Sequence, residues 1–82
     1  MPPVRVRLFA AHREAAGRPS VALDLPAGAT VKDVRSALKH ALPALRNAGG
    51  TTVIAVNGQF APDDQPVRAG DEVAAFPPVA GG

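Results

Sequence analysis

No cysteine, tryptophan or tyrosine occurs among the 82 residues. Without cysteine there are no disulfide staples, thiolate metal ligands, cysteine nucleophiles or iron–sulfur ligands, so ordinary packing must hold the fold. Histidine is scarce: His12 and His40 are too few for a metal site, and both are expected at the surface. No serine stands near a histidine and an acid in any motif, which argues against a self-contained enzyme. Nor is there much charge of one sign, since Lys+Arg 9 against Asp+Glu 7 leaves a formal +2 with no basic run, and nucleic acid is not favoured as a partner. Arginines break up the apolar residues of the opening MPPVRVRLFAAHREAAG, so that stretch supplies neither a signal peptide nor a membrane span. A cytoplasmic location without a membrane partner is the resulting expectation.

What is present is ordinary for a globular chain, 46% hydrophobic and 20% charged, and the length suits a single domain. Val4, Val6 and Leu8 alternate with Arg5, Arg7 and Phe9, which predicts a half-buried strand over 3–9. Residues 10–17, alanine-rich and ending in Gly17, read as a helical turn or a loop closed by a glycine cap. Val21, Leu23 and Leu25 alternate again until Pro26, giving a second strand over 20–25, antiparallel to the first. Thr30 and Asp33 resemble a capping box, and Val31, Val34, Leu38, Ala41, Leu42 and Leu45 make one apolar stripe, with Lys32, Arg35, Ser36 and Lys39 opposite. That long helix should end near residue 42, because Pro43 lacks an N–H. The run RNAGG at 46–50 reads as a turn. Thr52–Val56 predicts a strand covered on more than one side, Asn57-Gly58 a tight hairpin turn, and Gln59–Ala61 a short return strand. Val67 should return to the core from the PDDQP loop, and Glu72–Phe76 is the last strand. The paired acids Asp63-Asp64 and Asp71-Glu72 fall in turns, where solvation and bonding to nearby backbone explain them better than acid–base catalysis.

Two antiparallel strands, a crossing helix and further strands give an α+β domain, and connection rules favour a β-grasp (ubiquitin-like) arrangement. It comprises a mixed sheet of four to five strands with one main helix on one face, and the first and last strands central and parallel. The domain is expected over 1–76, followed by an extended tail over 77–82. Pro77 and Pro78 cannot donate to a ladder and bias the tail to an extended form that reaches roughly 20 Å. Gly81 and Gly82 lack a Cβ and can pass a narrow channel, leaving the terminal carboxylate as the reactive group at the tip. Phe9 and Phe76 have outward parity on adjacent central strands, and Phe60 can join them. The result is an exposed apolar patch at the base of the tail, the mark of a partner site, unless a loop or the turn after the first strand covers it.

The segment GDEVAAFPPVAGG, Gly70 to Gly82, resembles the end of the molybdopterin synthase small subunits, a family of ubiquitin-like sulfur carriers. RVRLFAAHREAAG and VIAVNGQF extend the likeness over most of the chain, while the helix matches only in pattern. The resemblance implies that Gly82 is adenylated by an E1-like activating enzyme using ATP and converted to a thiocarboxylate with sulfur from a donor protein. The tail then enters the synthase large subunit and gives sulfur to cyclic pyranopterin monophosphate. No cofactor is permanently bound in such a carrier, and it is not an enzyme alone but the sulfur-donor subunit of a complex. It implies further that Gly81 gives access, that Phe76, Pro77, Pro78 and Val79 aim and anchor the tail, and that Phe9 and Phe60 seat on the partner. Arg13 becomes a partner contact, though an ordinary surface arginine explains it nearly as well. Two alternatives stay open. One is a sulfur carrier for thiamine thiazole, tRNA thiolation or cysteine synthesis, against which the FPPV run argues; the other is a ubiquitin-like binding module whose tail is never activated.

Overall fold

Alternating valines on the first strand demand a cover on one side only, and the rest of the chain supplies it. The computed structural model describes residues 3–43 and 52–77. The predicted turn at 46–50, Leu45 and the tail residues Pro78, Val79, Gly81 and Gly82 lie outside the described residues.

Strand β1 (Val4–Leu8) buries Val4, Val6 and Leu8 and exposes Arg5 and Arg7. It runs antiparallel to β2 (Ser20–Leu23), whose pairing stops at Leu23 because its partner there, Val4, opens β1 directly after Pro3. Between them lies α1 (Ala10–Ala16), a true two-turn helix where the residues alone suggested a turn or a loop. Gly17 ends it at φ 71°, donating its N–H to the Arg13 carbonyl at 3.0 Å, the left-handed C-terminal cap that glycine adopts without a Cβ penalty.

Helix α2 (Val31–Ala41) starts where Thr30 and Asp33 predict, with the Thr30 N–H donating to Asp33 Oδ2 at 2.8 Å. Two further orphan donors of its first turn are met by a loop much later in the chain: Val31 N–H bonds the Gln65 carbonyl at 2.9 Å and Lys32 N–H the Asp63 carbonyl at 3.0 Å. Val31, Val34 and Leu38 face the sheet, and Leu42, just past the helix end, turns inward with them. Ala41 is exposed, a correction to the predicted stripe, because the helix stops there and the chain changes direction at Leu42. Arg35 also departs from the solvated face: it is half-buried, its Nε donates to the Thr52 carbonyl at 3.1 Å, and its Nη1 pairs with Asp63.

Strand β3 (Val53–Val56) buries Ile54, Ala55 and Val56 in succession, the two-sided cover its composition predicted. Asn57 (φ 53°) and Gly58 (φ 82°) make the tight turn into the short β4 (Gln59–Phe60). Strand β5 (Val73–Phe76) starts one residue later than expected, since the Glu72 N–H donates to the Asn57 side-chain oxygen at 2.9 Å instead of joining the ladder. The sheet order is β2-β1-β5-β3-β4, with β1 and β5 parallel and central, so the fold is a β-grasp. Val67, buried as predicted, joins Val6, Leu8, Val34, Leu38, Ile54 and Val73 in the core between sheet and α2. The opposite face of the sheet is left to whatever β1, β5 and β4 present there.

Candidate functional site

Successive strand residues point to opposite faces, so burying Val4, Val6 and Leu8 against α2 forces Arg5, Arg7 and then Phe9 onto the other side. The same parity on β5 buries Val73 and Ala75 and turns Ala74 and Phe76 outward. Parallel pairing of Leu8 with Ala75 brings the next residues together, and the rings of Phe9 and Phe76 stack with centroids 4.6 Å apart and planes within 13°. Phe60 reaches Phe76 edge-on, with centroids 6.4 Å apart at 81°. The expected cluster therefore forms, and no loop covers it: Phe60 is 76% exposed, while Phe9 and Phe76 are half-buried by one another and their neighbours.

The three rings line one side of a shallow trough of about 270 Å³ that also touches Arg7, Ala55, Gly58, Glu72 and Ala74. Small side chains contribute to its lining, Ala74 pairing with Ala55. The Arg7 guanidinium sits 5.5 Å from the Phe9 ring centroid, a cation–π contact that ties a positive charge to the aromatic cluster. Pro77, next along the chain from Phe76, is half-buried. Of the expected tail anchors, Phe76 lies in the cluster and Pro77 follows it, while Pro78, Val79, Gly81 and Gly82 lie outside the described residues.

Arg13 is not brought to this trough. It is exposed on α1 and lines a separate shallow basin with Ala10, Glu14, Gly17, Arg18 and Pro19. His12, expected at the surface, is instead buried at 1% exposure, where its Nε2 and the Thr52 hydroxyl share a hydrogen bond of 3.1 Å. The reason is helical phase: Ala10 adopts φ 50°, turning the chain sharply out of β1, and His12 and Ala16, four residues apart, become the inward stripe of α1. Burial disfavours the charged imidazolium and lowers the His12 pKa below its ordinary 6.5. Among the acids, Asp71 accepts from the Arg68 N–H at 2.8 Å and from the Asn57 side-chain amide at 3.2 Å, which together hold its carboxyl below the usual range. That is the local backbone-bonding role expected of a turn aspartate. Asp63 is exposed as expected, yet it also holds Arg35. Among the described residues no three His, Asp or Glu side chains converge as metal ligands, and no helix is long and apolar enough to cross a membrane.

Arg7, Ala55 and Ala74 were missed as site residues by sequence reasoning. Parity alone could have found Arg7 and Ala74, which share the outward set of Phe9 and Phe76, whereas Ala55 needed the β3–β5 register.

A five-stranded β-grasp with an aromatic cluster where the chain leaves its last strand invites comparison with known proteins. The model of the ThiS family matches residues 6–82. The chain belongs to the ThiS family. This ThiS-family chain is 34% identical over 79 residues to the molybdopterin synthase sulfur carrier subunit of Arabidopsis thaliana, covering 96% of this chain and 82% of that one. It is 40% identical over 83 residues to the protein of the same description from Escherichia coli, covering 96% and 99%. Among solved structures, the small archaeal modifier protein 1 of Haloferax volcanii superposes with a TM-score of 0.83 at 36% identity, covering 96% of this chain and 100% of that one. The resemblance seen in the sequence is thereby placed within a family, and the β-grasp architecture is common to it.

Proposed function

We propose that this ThiS-family protein is the sulfur-carrier subunit of a molybdopterin synthase, with Gly82 as the acyl end and residues 77–82 as the tail that carries it. A carboxylate with the ordinary α-carboxyl pKa of about 3.3 to 3.7 is ionised at neutral pH and resists nucleophilic attack. An E1-like activating enzyme supplies the remedy with ATP: the carboxylate oxygen displaces pyrophosphate and becomes an acyl-adenylate. A hydrosulfide-level sulfur delivered by a donor protein then attacks the carbonyl, AMP leaves, and the product is a thiocarboxylate with an anionic, nucleophilic sulfur. Inserted into the large subunit, that sulfur bonds to cyclic pyranopterin monophosphate, and water cleaves the acyl C–S bond, leaving the sulfur on the pterin and returning Gly82 to a carboxylate. The chain holds no cofactor of its own in this scheme, acts in the cytoplasm, and contributes to catalysis only as part of the complex.

The observation that carries the reading is the family match running through residue 82, with sulfur-carrier relatives at 34% and 40% identity over nearly the whole chain. The site fits it: Phe9, Phe60 and Phe76 form an exposed apolar platform at the point where the tail departs, suited to seating the body while the tail enters a partner. Incubation with the cognate activating enzyme, ATP and a sulfur source should add to the intact mass one oxygen-to-sulfur exchange, located at Gly82. Deleting Gly82 should abolish that exchange while leaving the fold and large-subunit affinity nearly unchanged; sulfur transfer by the deleted chain would refute the assignment.

A second reading is favoured by the likeness to the small archaeal modifier protein 1, 39% identical over 84 residues. In it the activated Gly82 carbonyl is taken by an amine of another protein, forming an amide and releasing AMP. The same incubation separates the two, since a modifier yields a higher-mass conjugate and a carrier yields the thiocarboxylate. A chain that gives neither product is a binding module working through its phenylalanines alone.

A further inference from the structure

The sheet ends on two strands, β2 and β4. Strand β4 offers only Gln59 and Phe60, whereas β2 runs over 4 residues, and its outer side pairs with no strand among the described residues. Which backbone groups of β2 point outward follows from its ladder with β1. The Leu8 N–H donates to the Pro19 carbonyl at 2.8 Å, and antiparallel bonding alternates, so Pro19, Val21 and Leu23 direct their groups to β1 while Ser20 and Ala22 turn theirs to the open edge. Such edges are usually blunted by lysine, by a bulge or by a proline that removes an outward N–H. None of these acts here. Residues 18–25 hold no lysine, the register with β1 is continuous, and the N–H that Pro19 lacks would have faced β1.

Charges of opposite sign bracket this edge. Arg18 is exposed just before β2 and Asp24 just after it, and neither enters an ion pair among the described residues. Arg18 shares its basin with Arg13 and Glu14, which leaves that end of β2 basic, while Asp24 lines a recess between β2 and α2 at the other end. Suppose two antiparallel copies of β2 meet with Val21 opposite Val21. Ser20 then faces Ala22 of the other copy, so that the outward groups of both exchange N–H···O=C bonds, and Arg18 faces Asp24; the twofold axis repeats each pair. The alternation of bonding groups excludes a slip of one residue. A slip of two sets Arg18 against Pro26 in one direction and against Ala22 in the other, so a single register joins the opposite charges.

We infer that the outer edge of β2 is a self-association site: a second copy of this chain adds antiparallel to it through Ser20 and Ala22, with Arg18 of each copy paired to Asp24 of the other. The twofold axis of such a joint stands perpendicular to the sheet, so both α2 helices lie on one face, on either side of it. The recess of about 560 Å³ beside β2 is lined on its α2 side by Ser36, Ala37 and Ala41 together with His40, and the small side chains leave the approach of a second copy open. Lys32 and Lys39, three residues before and four after Arg35, share its side of the helix, where Arg35 reaches Thr52 and Asp63, and so stand away from the joint. Phe60 lies on the opposite edge strand and Phe76 on β5, and a dimer through β2 leaves both open. Self-association here is therefore independent of the sulfur-carrier role.

The test is sedimentation equilibrium of the full chain in low and high salt. A contact this short belongs with transient interfaces of less than about 1,200 Å², so the wild type should dimerise with a dissociation constant on the order of 0.1 mM. Ala22→Pro removes an outward N–H without touching the bonds to β1 and should weaken the dimer about ten-fold or more at both salt concentrations. Arg18→Glu and Asp24→Lys each set like charges together and should weaken it about ten-fold at low salt, with the gap narrowing at high salt. An equimolar mixture of these two chains should associate as strongly as the wild type, because each copy then meets an opposite charge at both ends. Unfolding curves that coincide with the wild type keep loss of fold out of the comparison, and the charge variants decide the matter if Ala22→Pro does not fold. A wild-type chain still monomeric at about 1 mM overturns the inference. So does a dimer that the charge variants leave at full strength, or a mixture no stronger than its components. Each of these results leaves the proposed function standing, since that is read from the mass exchange at Gly82.

Discussion

The Phe9 and Phe76 rings lie nearly flat on each other, 4.6 Å between centroids, because the parallel pairing of β1 with β5 sets residue 9 beside residue 76 on the face away from α2. Both stand at the C-terminal ends of these adjacent parallel strands. The chain's exit from β5 is thereby built on an aromatic base.

Replacing Phe76 with Ala removes the ring that contacts both other phenylalanines and should cost docking to the large subunit 2 kcal/mol or more, as expected for an aromatic hot spot. Phe60→Ala should also weaken docking but barely move the unfolding midpoint, since a ring 76% exposed gives the fold little. Isothermal titration beside denaturant unfolding checks both, and a Phe60→Ala chain that docks at full strength would contradict the placement of the platform.

Stability should fall on the acid side of pH 6.5. His12 has a pKa lowered by burial, so the unfolded chain binds a proton that the folded chain excludes. Its contribution is complete above the ordinary value of 6.5 and is lost as the pH falls toward the lower folded value, with a slope of at most about 1.4 kcal/mol per pH unit. Urea unfolding between pH 7 and about pH 5 should show this slope in the wild type and a flatter line in His12→Gln.

Ala10 carries a left-handed backbone at φ 50°, a conformation costly for any residue with a Cβ. Ala10→Gly should raise stability by up to about 1 kcal/mol, read from the denaturant midpoint at unchanged m-value. A loss of stability instead would mean that the alanine methyl contributes packing that outweighs the strain.

Leu38 is fully buried on the inward stripe of α2, in the core between helix and sheet. Leu38→Ala should cost roughly 2–5 kcal/mol, a large part of the roughly 4–12 kcal/mol available to a domain of this size. Thermal unfolding followed by circular dichroism checks it.

Much of this protein was readable from local pattern. The alternation Val4–Val6–Leu8, the three- and four-residue spacing of Val31, Val34 and Leu38, the Thr30–Asp33 start and the Asn57-Gly58 turn each rest on interactions within a few residues, so their elements came out within one or two residues of the observed limits. Parity placed Phe9 and Phe76 on the open face before any contact was known, and the FPPV and Gly-Gly pattern named the family to which the chain belongs.

Other features depend on partners distant in the chain. The burial that helical phase gives His12 is satisfied by the hydroxyl of Thr52, forty residues away, and Arg35 leaves the solvated face because the Thr52 carbonyl and Asp63 reach it. Arg7 becomes part of a site only when β5 and β3 bring Ala74 and Ala55 beside it and β4 sets Phe60 across from it. Periodicity records which way each side chain points, since that follows from its own backbone; which side chains then meet is settled by strand order and register, which no short stretch of residues encodes.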